Sequence, residues 1–118
     1  MGVLTRFAGV IVLALGVVPG HAWADGAIAK SEQGRVGISF NYRGPRAADE
    51  RAVEECGWRC RVVFRFRGQC AAAAVGRDGG GGWASRDRLG RAEDAALENC
   101  REQGNHGCRI EARGCDDR

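Results

Sequence analysis

The residues with the widest chemical options are six cysteines in two triplets: Cys56, Cys60 and Cys70, then Cys100, Cys108 and Cys115. Such thiols can cross-link, hold zinc or exchange electrons, and their spacing separates the three. Structural zinc asks for paired C-x-x-C knuckles or histidines at fixed spacing. Here the first triplet opens as C-x-x-x-C, and His106 is the one histidine beyond His21. Thiol redox catalysis asks for a cysteine at a helix N-terminus, where the dipole stabilises thiolate. Cys56 and Cys100 fall at predicted helix C-termini instead. The expectation is no metal, no cofactor and no catalytic cysteine. An even set of cysteines in a short exported chain reads as a disulfide framework.

Export is read from residues 1–24. Arg6 supplies the positive charge, residues 7–18 are apolar, Pro19-Gly20 interrupts them, and Ala22-Trp23-Ala24 offers a small-x-small cleavage site. The apolar run is too short for a retained membrane helix. The expectation is a cleaved signal peptide over 1–24 and one disulfide-stapled domain over 25–118. Its place is periplasmic or secreted, with no transmembrane segment after processing.

Other candidate groups are sparse. A hydrolase would need a nucleophile beside His106, and the spacing of Ser31, Ser39 and Ser85 singles out none of them. The glycines at 79–82 lack the Gly-Lys-Ser/Thr ending of a phosphate loop and read as a tight turn, with Trp83 after it in the core. Arg61, Arg65 and Arg67 are expected on one side of a strand, with Trp58 nearby in sequence. Guanidinium groups beside an aromatic ring can grip carboxylates, phosphates or sugar faces. The net charge of +3 is too mild for a nucleic-acid binder, and Lys30 is the one lysine among 18 basic residues. The reading is a non-catalytic, monomeric interaction module for a protein or an anionic envelope component. Its candidate binding residues are Arg61, Arg65, Arg67, Trp58 and Trp83. A small periplasmic hydrolase using His106 is the alternative.

The elements that position these groups come in two copies. Ala27-Ile28-Ala29 matches Ala72-Ala73-Ala74, Gly37-Ile38-Ser39 matches Gly82-Trp83-Ala84, and Ala48, Ala52, Val53 and Cys56 match Ala92, Ala96, Leu97 and Cys100. Each copy reads as strand, strand, helix, strand. Residues 36–42 alternate as a half-buried strand does. Pro45 suits a first helical position, and Gly57 suits a helix stop. Residues 90–103 repeat the helix. In the strand 60–66, Cys60, Val62, Phe64 and Phe66 are expected on one face, and Arg61, Val63 and Arg65 on the other. Arg67-Gly68 then turns the chain into 70–75. The fold class expected is α+β: a small disulfide-rich domain with an antiparallel sheet packed by two helices, and an internal pseudo-twofold repeat of 27–70 and 71–115.

Large apolar residues are few, so the core alone is marginal, and cross-links contribute roughly 2–4 kcal/mol each. The preferred pairs are Cys56–Cys60, Cys100–Cys108 and Cys70–Cys115. The first two clip a helix end to the next strand, and the third is expected to join the two units across the pseudo-axis. The set Cys56–Cys70, Cys100–Cys115 and Cys60–Cys108 has the same symmetry and stays open.

The repeated Ala-x-Ala, the Gly-Trp-Ala or its variant, the Arg-Ala-x-x-x-Ala-Leu-x-x-Cys helix and the Cys-Arg-Val strand together resemble a known bacterial family. It is the set of small secreted, cysteine-rich proteins catalogued as domain of unknown function DUF4189. The resemblance spans 27–115 and rests on Cys56, Cys60, Cys70, Cys100, Cys108, Gly82, Trp83 and the two helices. It implies an exported α+β domain and carries over no catalytic residue.

Overall fold

Strand β1 (Asp25–Lys30) organises the first half because both of its faces are covered. In the computed structural model, which describes residues 24–116, it pairs antiparallel with β2 (Val36–Tyr42) on one side and β3 (Arg61–Arg67) on the other. Helix α1 (Pro45–Cys56) connects β2 to β3 and lies against the sheet. The second half repeats this order. Strand β4 (Cys70–Val75) is flanked by β5 (Gly81–Arg86) and β6 (Arg109–Cys115), and α2 (Leu89–Glu102) covers it. The signal-peptide reading falls, apart from Ala24, outside the described residues.

Period-two alternation sets the layers. Ala27 and Ala29 pack on Ala48, Ala52 and Cys56 of α1, while Ile28 points the other way, to Ala71 and Ala73 of β4. From β4, Ala72 and Ala74 pack on Ala92, Ala96 and Cys100 of α2. The layers therefore run α1, first sheet, second sheet, α2. The α+β class holds, with the strands divided between two three-stranded sheets, β2-β1-β3 and β5-β4-β6, rather than joined in one. Each central strand is apolar on both faces. A helix covers one face, and the other needs a second sheet.

Small residues let these layers close. Pro45 opens α1 and Gly57 ends it, its N–H bonded to the Val53 carbonyl. A methyl group built on Gly37 would stand 2.3 Å from the Ala52 oxygen, and one built on Gly82 would stand 2.3 Å from the Cys100 nitrogen. Each helix backbone thus rests directly on the glycine of the second strand of its own unit.

The third strand of each unit carries a bulge. In β3 the pairing with β1 steps from Ile28↔Phe64 to Ala29↔Val62, and in β6 the pairing with β4 steps from Ala73↔Ala112 to Ala74↔Ile110. The residues passed over are Val63 and Glu111. A bulge inserts one extra residue and reverses the facing of what lies beyond it. Val62 accordingly packs with α1, whereas Phe64 and Phe66 pack between the sheets. The expectation that Val62, Phe64 and Phe66 share a face is corrected on this ground.

Three disulfides are formed, and no cysteine is free among the described residues. Cys56–Cys60 and Cys100–Cys108 join each helix end to the following strand, across Cα separations of 6.1 and 6.3 Å. Cys70–Cys115 joins register partners on β4 and β6. This third bond lies inside the second sheet, which corrects the expectation that it ties one unit to the other. The corresponding register partners in the first sheet are Asp25 and Arg67, an ion pair with Nη1 and Oδ1 2.7 Å apart. A salt bridge in one unit stands where the other has a covalent bond.

Polar ties between the units gather at Asp116, which is 6% exposed. Its carboxylate accepts from the Asn41 amide at 2.6 Å and the Gly68 amide at 3.1 Å, and its own N–H donates to the Gln69 carbonyl. Burial pushes the Asp116 carboxyl above its ordinary value, against the pull of those two N–H donors; Asp25 pushes further, and Arg67 opposes it.

Gly82→Ala and Gly37→Ala must each move a helix off its sheet. Overpacking of this kind costs about 1–3 kcal/mol. For a domain this size that is a melting temperature lower by roughly 4–8 °C per kcal/mol, read by circular dichroism. Unchanged melting in both variants would show that the helices are not in this close contact. Asp116 yields a second outcome. A raised folded-state carboxyl contributes stability that is fully present below the ordinary carboxylate pKa and lost as pH rises through the raised value. The melting advantage of the wild type over Asp116→Asn should therefore shrink as pH rises from below the ordinary carboxylate range and through it. An advantage that grows over that range contradicts the assignment.

Candidate functional site

The bulge in β3 leaves one of its arginines aimed away from the others. Arg61 and Val63 turn to the side of β5, where with Lys30, Arg59 and Trp83 they line a cavity of about 270 Å³. Lys30 ends β1. The loop after it is closed by Ser31, whose hydroxyl accepts from the Arg35 amide at 3.0 Å and whose carbonyl accepts from Lys30 Nζ at 2.9 Å. Glu32 and Gln33 complete that wall.

Arg59 is delivered by the ring that Cys56–Cys60 closes. Gly57 has φ +101° and Arg59 has φ +65°, a left-handed conformation that a residue with a side chain seldom takes. Cross-linking so short a segment holds both residues there. The Arg59 guanidinium carbon lies 4.4 Å from the Trp58 ring centroid, and Arg35 donates to the Trp58 carbonyl. A cation over an indole face is attracted by its quadrupole. Trp58 is nevertheless 73% exposed, so a rigid loop holds an aromatic ring out in solvent.

Three cations, Lys30, Arg59 and Arg61, thus converge against one lining carboxylate, Glu32. Burial lowers the Lys30 ammonium below its ordinary value, Glu32 and Asp78 counter this, and Arg61 adds to it. Such a cleft favours a ligand that brings negative charge.

The equivalent place in the second unit differs at three of four matched positions. Matching the bulged registers sets Val75, Gly107, Arg109 and Glu111 at the positions of Lys30, Arg59, Arg61 and Val63. These four line a second cavity of about 460 Å³. There Arg109 Nε donates to Glu111 at 2.8 Å, so a neighbour on its own strand neutralises it. Arg61 has Val63 at that neighbour's position, and no ion pair reaches it among the described residues.

Arg65 and Arg67 do not join this cleft, which corrects the expectation that three arginines share one side. Beyond the bulge they face the helix side. Arg65 bonds Asp49 of α1 at 2.7 Å, and Arg67 bonds Asp25. The pair Arg113–Glu93 occupies the same place in the second unit as Arg65–Asp49, which marks both as scaffold. Trp83 is half-buried and serves the inter-sheet core and the cavity wall together. His106 is exposed in the loop before Cys108. Ser31 and Ser39 are buried with their hydroxyls bonded to backbone, and neither bonds His106. No group of three or more His, Cys, Asp or Glu residues is placed to hold a metal ion among the described residues. Lys30 and Arg59 were not singled out in the sequence, although a sole lysine at a strand end and an arginine between two cysteines were visible signals.

Comparison with known proteins places the chain. The family model described as Domain of unknown function (DUF4189) matches residues 25–115, and the chain belongs to that family. No curated protein matches it. Among solved structures, the NMR structure of Rv1813c from Mycobacterium tuberculosis is similar, with 30% identity and a TM-score of 0.61. The match covers 86% of this chain and 80% of that one.

Lys30, as the one lysine, can be followed by acylation and peptide mapping. Its lowered ammonium should acylate with a pH midpoint below that of a free lysine side chain, and a bound anion should slow the reaction. A midpoint at or above the free value would place Lys30 outside a desolvated, cation-rich cleft.

Proposed function

We propose, taking this family membership as the premise, that the protein is an exported, disulfide-stabilised, non-catalytic module that binds an anionic envelope or extracellular partner. The observation that carries the reading is the convergence of Lys30, Arg59 and Arg61 on one cavity with a single opposing carboxylate. Trp83 in its wall and Trp58 beside it supply the aromatic surface that binding sites favour. Paired cysteines fit an oxidising compartment, and no helix among the described residues is long and apolar enough to cross a membrane. The cross-links also hold the cleft in shape before a ligand arrives, which lowers the ordering cost of binding.

The test is titration of the oxidised protein with digalacturonate and with inorganic sulfate, followed by amide chemical shifts. Shifts should concentrate at 30–33, 59–61 and 83. The double variant Lys30→Ser/Arg61→Ser should weaken binding by about tenfold, since each partly exposed charge pair contributes up to about 1 kcal/mol. Affinity should fall with added salt, because the Debye length is about 10 Å at 0.1 M ionic strength. Arg65→Ser, which breaks a scaffold pair, should leave affinity unchanged. Binding that ignores the Lys30/Arg61 substitutions while the variant melts normally would refute the assignment.

A further inference from the structure

The cleft is one half of a longer surface. Gln33 borders both the first cavity and the second, so the two lie on either side of the 31–35 loop. The second cavity brings Arg35, Arg77 and Arg109 to the same end of the sandwich. The Trp58 loop is tied to both sides: Arg59, stacked on Trp58, borders the first cavity, and Arg35, bonded to the Trp58 carbonyl, borders the second. An exposed indole therefore stands beside Arg59, on a loop that Arg35 anchors from the second cavity.

Resting on the anion-binding reading above, we infer that the ligand is a linear acidic polysaccharide that crosses the 31–35 loop, with charged groups in both cavities and a sugar ring on Trp58. The arrangement of charge selects the class. Carboxylates are interleaved with the cations, Glu32 in the first cavity and Glu111 in the second. A DNA strand, whose backbone has phosphates and no hydroxyl donors, offers those carboxylates only repulsion. A polyuronate carries one carboxylate on each ring with hydroxyl donors beside it, and a ring hydroxyl can face Glu32 or Glu111, whose carboxylate oxygens accept. The open face of Trp58 matches the C–H face of a pyranose. Arg109 is shared with Glu111, which leaves Arg35 and Arg77 as the second cavity's other cations, and that cavity adds affinity only to a chain long enough to reach it.

The experiment compares galacturonate oligomers of two lengths on the oxidised protein. A decamer should bind at least about tenfold more tightly than a dimer, since the second contact becomes intramolecular. Arg77→Ser/Arg109→Ser should abolish that gain and leave dimer affinity unchanged, and Trp58→Ala should weaken the decamer more than the dimer. Length-independent affinity overturns the two-cavity inference while leaving the cleft reading intact. Absence of dimer binding, with no effect of Lys30→Ser/Arg61→Ser on the decamer, overturns the cleft reading itself. Single-stranded DNA of matched length that displaces the decamer on equal terms would overturn the choice of a polysaccharide. Melting temperatures of all variants separate loss of binding from loss of fold.

Discussion

The contact on which everything else depends is that of each helix backbone with a glycine of its own sheet. Gly37 and Gly82 leave room for the chain of α1 and α2 where a methyl group would overlap main-chain atoms. Once the helices sit that low, small side chains line the buried contact, as in the stripes Ala48-Ala52-Cys56 and Ala92-Ala96-Cys100. The central strands, squeezed between a helix and a second sheet, carry alanine for the same reason. A core so thin in side-chain volume releases little free energy on burial. The three disulfides offset this by limiting the unfolded chain, and the one closing the longest segment, Cys70–Cys115, contributes roughly 4 kcal/mol on the loop-length model.

Against this shared frame, agreement between the two units marks scaffold and disagreement marks the candidate site. The bulge recurs, the strand-to-helix ion pair recurs as Arg65–Asp49 and Arg113–Glu93, and the helix-end disulfide recurs. The departures fall at Lys30 against Val75, Arg59 against Gly107, and Val63 against Glu111. All three alter the same cavity, and all three raise its positive potential in the first unit. Asp25–Arg67 against Cys70–Cys115 is a departure of another kind, in which a charge pair and a covalent bond hold equivalent strand ends.

Much of the frame was legible in the chain itself. The repeated cysteine phrases, the small-residue helix faces, proline at the start of α1 and the alternation of 36–42 are local patterns, and local patterns dictate local structure whatever surrounds them. They suffice for the α+β class, for the strand–strand–helix–strand order of each unit and for resemblance to the DUF4189 family. The layout of sheets is not local. A strand apolar on both faces accepts a neighbouring strand, a helix or another sheet, and its sequence does not say which.

The candidate site belongs to that second category. Whether Arg61 sides with Arg65 depends on one residue slipping out of register, and register is decided by the pairing partner, here β1 against β3. Lys30, the Arg59–Arg61 stretch and Trp83 come from three separate segments: strand pairing brings Lys30 to Arg61, and the stacking of one sheet on the other brings Trp83 to both. Residue types and their periodicity determined which elements form and which faces are small, apolar or charged. Register and sheet stacking, which arise only when distant segments compete for the same buried face, decided which of those charges share a cavity.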